Sequence, residues 1–265
     1  MRDGVDEFVA LGSRRVRVRR TGEGPPLLLI NGIGAALEMW KPLTSGLSDR
    51  ELISFDLPGC GRSPAPSRPM RMRAVAALVT TLLDRLGHRR VDVLGYSFGG
   101  AVAQELAYRS PDYVERLILC ATTPGIPSLP PNPLIATMML SPLRYYSESL
   151  GSFMVRHIAG GRTAREPEVL QEGLRQRLAM PPSLLGYTQQ LITITGWSSQ
   201  PWLRHLRPET LVIHGDDDPV APLFNARRMA GMIPRARLEV IAGGGHLFLL
   251  DQPDDALAVI ADFLG

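Results

Sequence analysis

The chain has 265 residues, 45% of them hydrophobic and 21% charged, with a formal net charge of +3. That balance supplies enough apolar side chains to offset the entropy of ordering one large core, and it excludes disordered, collagen-like and coiled-coil classes. The excess of basic groups is too small to argue for a nucleic-acid partner, and no apolar run reaches the roughly 18 residues that a membrane span requires.

The start of the chain, MRDGVDEFVA, places acidic residues where a secretory leader needs an apolar stretch, so a cytoplasmic protein is expected. The basic stretch Arg14-Arg15-Val16-Arg17-Val18-Arg19-Arg20 alternates arginine with valine, the period of a strand with one wet and one buried face. A solvated strand face is favoured over an anion-binding patch. Residues 27–30 and 52–55 are short, nearly continuous apolar runs and read as strands covered on both faces. A helix over 70–86, a strand over 91–94, a helix over 99–109 and a strand over 117–120 follow. Cys60 and Cys120 are too few and too far apart for a disulfide framework or a zinc site, so free thiols are expected.

The alternation then breaks. Pro124, Pro127, Pro130, Pro131 and Pro133 lead into helical stretches such as 134–140 and 184–194, and strand patterning resumes only at 211–213. A helix over 222–232, a strand over 238–241 and a helix over 253–264 complete the chain. Alternating strands and helices predict a doubly wound, mainly parallel sheet. Residues 1–123 and 209–265 are expected to form this core, and 124–208 a helical insertion too long for an ordinary loop. Four methionines of the insertion, Met138, Met139, Met154 and Met180, either pack within it or line an adaptable acyl pocket.

Chemistry concentrates at the strand ends. Gly95-Tyr96-Ser97-Phe98-Gly99 sits between a strand and a helix, a setting in which glycines relieve crowding around a sharply turned serine. A serine hydroxyl near neutral pH needs a base within hydrogen-bond reach and a carboxylate to orient that base. His246, in Gly243-Gly244-Gly245-His246, follows the strand at 238–241 and is the candidate base. Asp216, Asp217 and Asp218 follow the strand at 211–213 and are candidate acids. The backbone N–H of Phe98, directly after the nucleophile, is a candidate oxyanion donor.

With these residues the chain resembles the α/β-hydrolase superfamily over essentially its whole length. The resemblance implies an α/β-hydrolase fold: a mainly parallel eight-stranded sheet, helices on both faces and a helical cap over the site. It selects Asp218 as the acid, with Asp217 second, because Gly215-Asp216-Asp217-Asp218-Pro219-Val220-Ala221-Pro222 fits the superfamily's G-x-x-D-x-x-x-P pattern. It also implies a second oxyanion donor, the N–H of Ile33 in Asn31-Gly32-Ile33-Gly34, where many relatives begin the loop with histidine. The turn Asp56-Leu57-Pro58-Gly59-Cys60-Gly61-Arg62-Ser63 reads as structural. A narrower resemblance, to intracellular medium-chain-length polyhydroxyalkanoate depolymerases, rests on Asn31-Gly32-Ile33-Gly34-Ala35, Ser141-Pro142-Leu143-Arg144-Tyr145, Gly196-Trp197-Ser198 with Trp202-Leu203, and Gly245-His246-Leu247-Phe248-Leu249. That family usually carries tryptophan where this chain has Phe98. The resemblance implies hydrolysis of ester bonds between 3-hydroxy fatty acid units through an acyl-enzyme, with no metal or organic cofactor, so a medium-chain aliphatic ester, small-molecule or polyester, is the expected substrate and a polymer granule surface an expected partner. A lactonase, a carbon–carbon bond hydrolase and a non-catalytic ligand-binding protein are the alternatives.

Overall fold

The computed structural model describes residues 4–265, so the first three residues of the stretch read for a leader lie outside it. Strands β1 (Asp6–Leu11) and β2 (Arg14–Thr21) form a hairpin, followed by β3 (Pro26–Ile30), the short helix α1 (Lys41–Thr44), β4 (Glu51–Phe55) and α2 (Met72–Leu86). Next come β5 (Val91–Tyr96), α3 (Phe98–Arg109) and β6 (Val114–Cys120). Five helices then separate β6 from the next strand: α4 (Pro133–Leu140), α5 (Glu148–Ala159), α6 (Gly161–Arg165), α7 (Pro167–Ala179) and α8 (Leu184–Ile194). The chain closes with β7 (Glu209–Gly215), α9 (Leu223–Met232), β8 (Ala236–Ile241), α10 (Phe248–Asp251) and α11 (Pro253–Leu264).

The strands make one eight-stranded sheet in the order β1-β2-β4-β3-β5-β6-β7-β8. Only β2 runs against its neighbours β1 and β4; every other pairing is parallel, as expected. Successive side chains of the central strands feed two cores. Leu28, Ile30 and Val93 pack on one face with α2 and α3, while Leu27, Leu29 and Leu94 pack on the other with α11. That division explains why these strands read as unbroken apolar runs. The strand order reverses between β3 and β5, so the loops leaving their carboxyl ends diverge and open a crevice there.

One strand lies outside those expected, and one reading changes. The strand β1 carries no clean alternation and is specified by pairing with β2. The arginines of β2 are not a simply solvated face: Arg17 is 1% exposed and pairs with Asp6, Glu38 and Asp56, while Arg19 pairs with Asp6. The turn after β4 is structural, since Asp56 accepts from the backbone N–H groups of Leu37 and Arg62, both at 2.8 Å. Burial pushes the Asp56 carboxyl above its usual range, and these donors together with Arg17 oppose that push. Both cysteines are buried free thiols, and burial raises Cys60 to about 12.

The start and end of the helical segment between β6 and β7 lie side by side. Gly125 bridges to Ser198, and the Ser199 N–H donates to Pro124 O at 2.9 Å. The segment 124–199 thus closes on itself beside the carboxyl end of β6, and the chain enters β7 ten residues later.

Candidate active site

Ser97 sits between β5 and α3 with φ 52° and ψ −115°, a backbone state that costs a non-glycine residue roughly 1–3 kcal/mol and is held by its surroundings. Its N–H donates to Cys120 O at 2.9 Å, and the Thr122 hydroxyl donates to its carbonyl at 2.7 Å. A Cβ at Gly99 would collide with the Ile30 carbonyl, so glycine there lets α3 approach β3 closely enough to raise the serine over the sheet edge.

His246 follows β8. Its Nδ1–H donates to Asp218 Oδ2 at 2.8 Å, leaving Nε2 to accept from the Ser97 hydroxyl at 3.1 Å. The histidine backbone is fixed at both ends: Tyr96 Oη–H donates to its carbonyl at 2.7 Å, and its own N–H donates to Ala159 O at the end of α5. A Cβ at Gly245 would strike that same Ala159 carbonyl. The glycine run therefore serves the approach of the helical segment, besides freeing the loop that carries the histidine.

The three aspartates separate by partner. Asp218 has a fully buried side chain, and its Oδ1 accepts from the N–H groups of Val220 and Ala221 at 2.8 and 2.9 Å, leaving Oδ2 for His246. Asp216 caps the loop at Gly243 through a 2.7 Å bond. Asp217 does not cap a local turn; it accepts from the Gly161 N–H and from Arg165, tying α6 to the loop after β7. A second buried histidine, His214, lies 3.5 Å from Asp218 Oδ2. Burial holds it below its usual value, so it stays neutral and donates Nε2–H to Ala221 O.

Among the described residues neither the Ile33 nor the Phe98 N–H makes a hydrogen bond, and the latter opens α3, where intrahelical acceptors are absent. Both residues line a cleft with Ser97 and His246. The peptide that follows Ile33 is gripped from the helical segment: Tyr145 Oη–H donates to Ile33 O at 2.8 Å and Gly34 N–H donates to Gln190 Oε1 at 2.9 Å. Neither Tyr145 nor Gln190 carries a signal of this role in the sequence, because each meets the loop across more than a hundred positions.

The cleft over Ser97, with a volume of about 370 Å³, is walled by Ile126, Leu129, Met139, Leu191, Ile194 and Trp197 from the helical segment. Met139 is thus a wall residue, whereas Met138 and Met154 pack against Ile135 and Ile158. No group of three or more His, Cys, Asp or Glu side chains suited to a metal occurs among the described residues.

This fold and crevice agree with the comparisons. The sequence pattern of the alpha/beta hydrolase fold matches residues 25–253, and the chain belongs to that family and is a hydrolase. A poly(3-hydroxyalkanoate) depolymerase of Ectopseudomonas oleovorans is 40% identical over 241 residues, covering 90% of this chain and 84% of that protein. Among solved structures, a hydrolase from Pseudomonas aeruginosa PA01 superposes with TM-score 0.86 at 27% identity over 98% of both chains. The enol-lactonase from Burkholderia xenovorans LB400 gives 0.84 at 26% identity, covering 97% of this chain and 99% of its own.

Proposed function

We propose that the chain is a serine-dependent carboxylic ester hydrolase acting on medium-chain aliphatic esters or polyesters, a reading that its 40% identity to a poly(3-hydroxyalkanoate) depolymerase supports. The observation that carries this reading is the unbroken relay Asp218–His246–Ser97 at the floor of an apolar cleft. In this reading His246 Nε2 takes the Ser97 proton as Oγ attacks the ester carbonyl, and Asp218 stabilises the imidazolium. The Ile33 and Phe98 N–H groups hold the developing oxyanion. His246 then returns the proton to the leaving alcohol, and the acyl-enzyme is released when water attacks with His246 again as base.

Residues 124–208 act as a cap whose apolar wall receives the acyl chain. That segment also exposes Leu134, Leu140, Leu143, Leu150, Phe153 and Leu184, which suits contact with a polymer granule in the cytoplasm. No helix among the described residues is long and apolar enough to cross a membrane.

Each methylene buried in the cleft contributes roughly 0.8 kcal/mol, so kcat/KM for p-nitrophenyl esters should climb from acetyl to about octanoyl and then level. A medium-chain polyhydroxyalkanoate dispersion should release soluble 3-hydroxy acids or oligomers. Preference for acetyl esters with no release from polymer would reject this substrate class. The likeness to an enol-lactonase favours, as second reading, a lactonase or carbon–carbon bond hydrolase, which lactone turnover exceeding ester turnover would establish. Failure of a fluorophosphonate to label Ser97 would leave a ligand-binding protein.

A further inference from the structure

Two cavities meet over Ser97 and differ in chemistry. One is the apolar cleft described above. The other, much smaller, shares Ile33, Ser97, Met139 and His246 with it and adds two cations, Arg144 and Arg177. Three arginines among the described residues are buried. Arg17 pairs with three carboxylates and Arg50 with Asp92 at 2.8 Å, as the cost of burying a charge requires. Arg144, 2% exposed, forms no ion pair among the described residues.

What surrounds Arg144 is neutral. One Nη1–H donates to Ser141 O at 2.9 Å, and the guanidinium carbon lies 4.8 and 5.1 Å from the ring centroids of Tyr145 and Tyr187. Aromatic faces and two carbonyls, Ser141 O and the more distant Met138 O at 3.5 Å, compensate a buried guanidinium only in part, since its planar fork is built for a carboxylate or phosphate. Arg177 of α7 reaches the same space, 5.9 Å from the Tyr145 centroid. Two cations without carboxylate partners thus converge on a small cavity beside the nucleophile, opposite a large apolar one.

The geometry points to a carboxylate subsite formed by Arg144 and Arg177, which takes the leaving-alcohol side of a substrate bearing a free carboxylate a few bonds from the scissile ester. This deepens the ester-hydrolase reading and rests on it. In a 3-hydroxyalkanoate oligomer that arrangement occurs once, at the carboxyl end, where the last ester oxygen, a CH bearing the alkyl group, a CH2 and the carboxylate follow in sequence. The aliphatic bulk of the chain then lies in the apolar cleft. Ser97 Oγ forms its bond to the last ester carbonyl, the carbonyl–oxygen bond to the terminal unit breaks, and the proton from His246 goes to that oxygen. The terminal 3-hydroxy acid leaves, and water later cleaves the acyl-enzyme, so the polymer shortens from its carboxyl end.

Calorimetry with 3-hydroxyoctanoate and with its methyl ester reads the subsite without any turnover when each binding measurement, of the wild-type pocket and of the variants alike, is made on a Ser97→Ala background. The acid should bind about tenfold more tightly than the ester, the scale of one charge-assisted hydrogen bond. Arg144→Gln and Arg177→Gln should each bring that ratio close to one. Arg177 is only half-buried, so its variant keeps the test readable should Arg144→Gln misfold. The same ratio is then taken in kcat/KM for the 3-hydroxyoctanoate dimer and its methyl ester, within each variant. Equal binding of acid and ester by the wild type, or a preference that survives in Arg177→Gln, overturns the subsite. A wild type that prefers the acid in binding yet cleaves neither dimer keeps the subsite and rejects the polyester reading. Equal cleavage of the two dimers does the reverse.

Discussion

In the sheet, Leu27, Leu28, Leu29 and Ile30 alternate between two packed faces and none has any exposure, whereas in the segment between β6 and β7, Leu134, Leu140, Leu184 and Ile192 are each more than half exposed. Charge follows the same division. Arg17 and Arg50 of the core are closed by carboxylates, and Arg144 of the insertion is not. Yet the insertion is not loosely attached, because its polar groups reach the core at chosen points: the Tyr145 and Gln190 side chains at one peptide of the loop after β3, and the Gly161 N–H and the Arg165 side chain at Asp217. The contrast teaches that stability resides in the sheet, while the shape and charge of the space over Ser97 are written in the insertion.

The strongest way to break this division is to change the relay carried by the sheet. Ser97→Ala should abolish organophosphonate labelling and lower esterase kcat by up to about 10⁶-fold. Asp218→Asn should lower it by up to about 10⁴-fold by spoiling the tautomer of His246, while Asp216→Asn, whose carboxylate only caps a loop, should change it little. If Asp217→Asn instead proved the damaging change, the acid would be misassigned and the insertion would matter to the chemistry itself.

Stability offers a second cut. Leu28→Ala, at a fully buried position between strands and α2, should lower the unfolding free energy by about 2–5 kcal/mol in denaturant titration. Leu143→Ser, at an exposed position of the insertion, should stay within about 0.5 kcal/mol of wild type. Comparable losses at the two positions would dissolve the distinction.

The finest test concerns the peptide between Ile33 and Gly34. Gln190→Ala removes the acceptor of Gly34 N–H and should lower kcat about tenfold, the loss expected of one buried hydrogen bond, with KM for a short ester nearly unchanged. Gln190→Glu keeps an acceptor oxygen and should lose less. A rise in KM alone would make Gln190 a wall of the cleft and nothing more.

Much of this protein was legible from local pattern. Ser97 and His246 stand out because a strand that ends in Gly-x-Ser-x-Gly, or in three glycines and a histidine, leaves few structural choices for the chain. The strands around β3 and β5 were legible because burial on both faces demands unbroken apolar runs. The edge strand β1 was not, since half of its specification is the backbone of β2.

By itself, then, the amino-acid sequence determined the alternation of strands and helices, the interruption between β6 and β7, and the residues carried on the strand ends, all of which depend on neighbours a few positions away. Which polar groups meet across the chain was decided by the tertiary structure alone. Arg17 reads like Arg15 and Arg19 in the β2 pattern, but the folded chain brings Asp6, Glu38 and Asp56 around it. Arg144 carries no mark of burial in the stretch Ser141 to Tyr145, and only the packing of Tyr145 and Tyr187 against it leaves a buried cation beside Ser97. The physical reason is that burial and pairing are set by what lies opposite in space, and the free energy of a charge depends on that environment far more than on its neighbours in sequence.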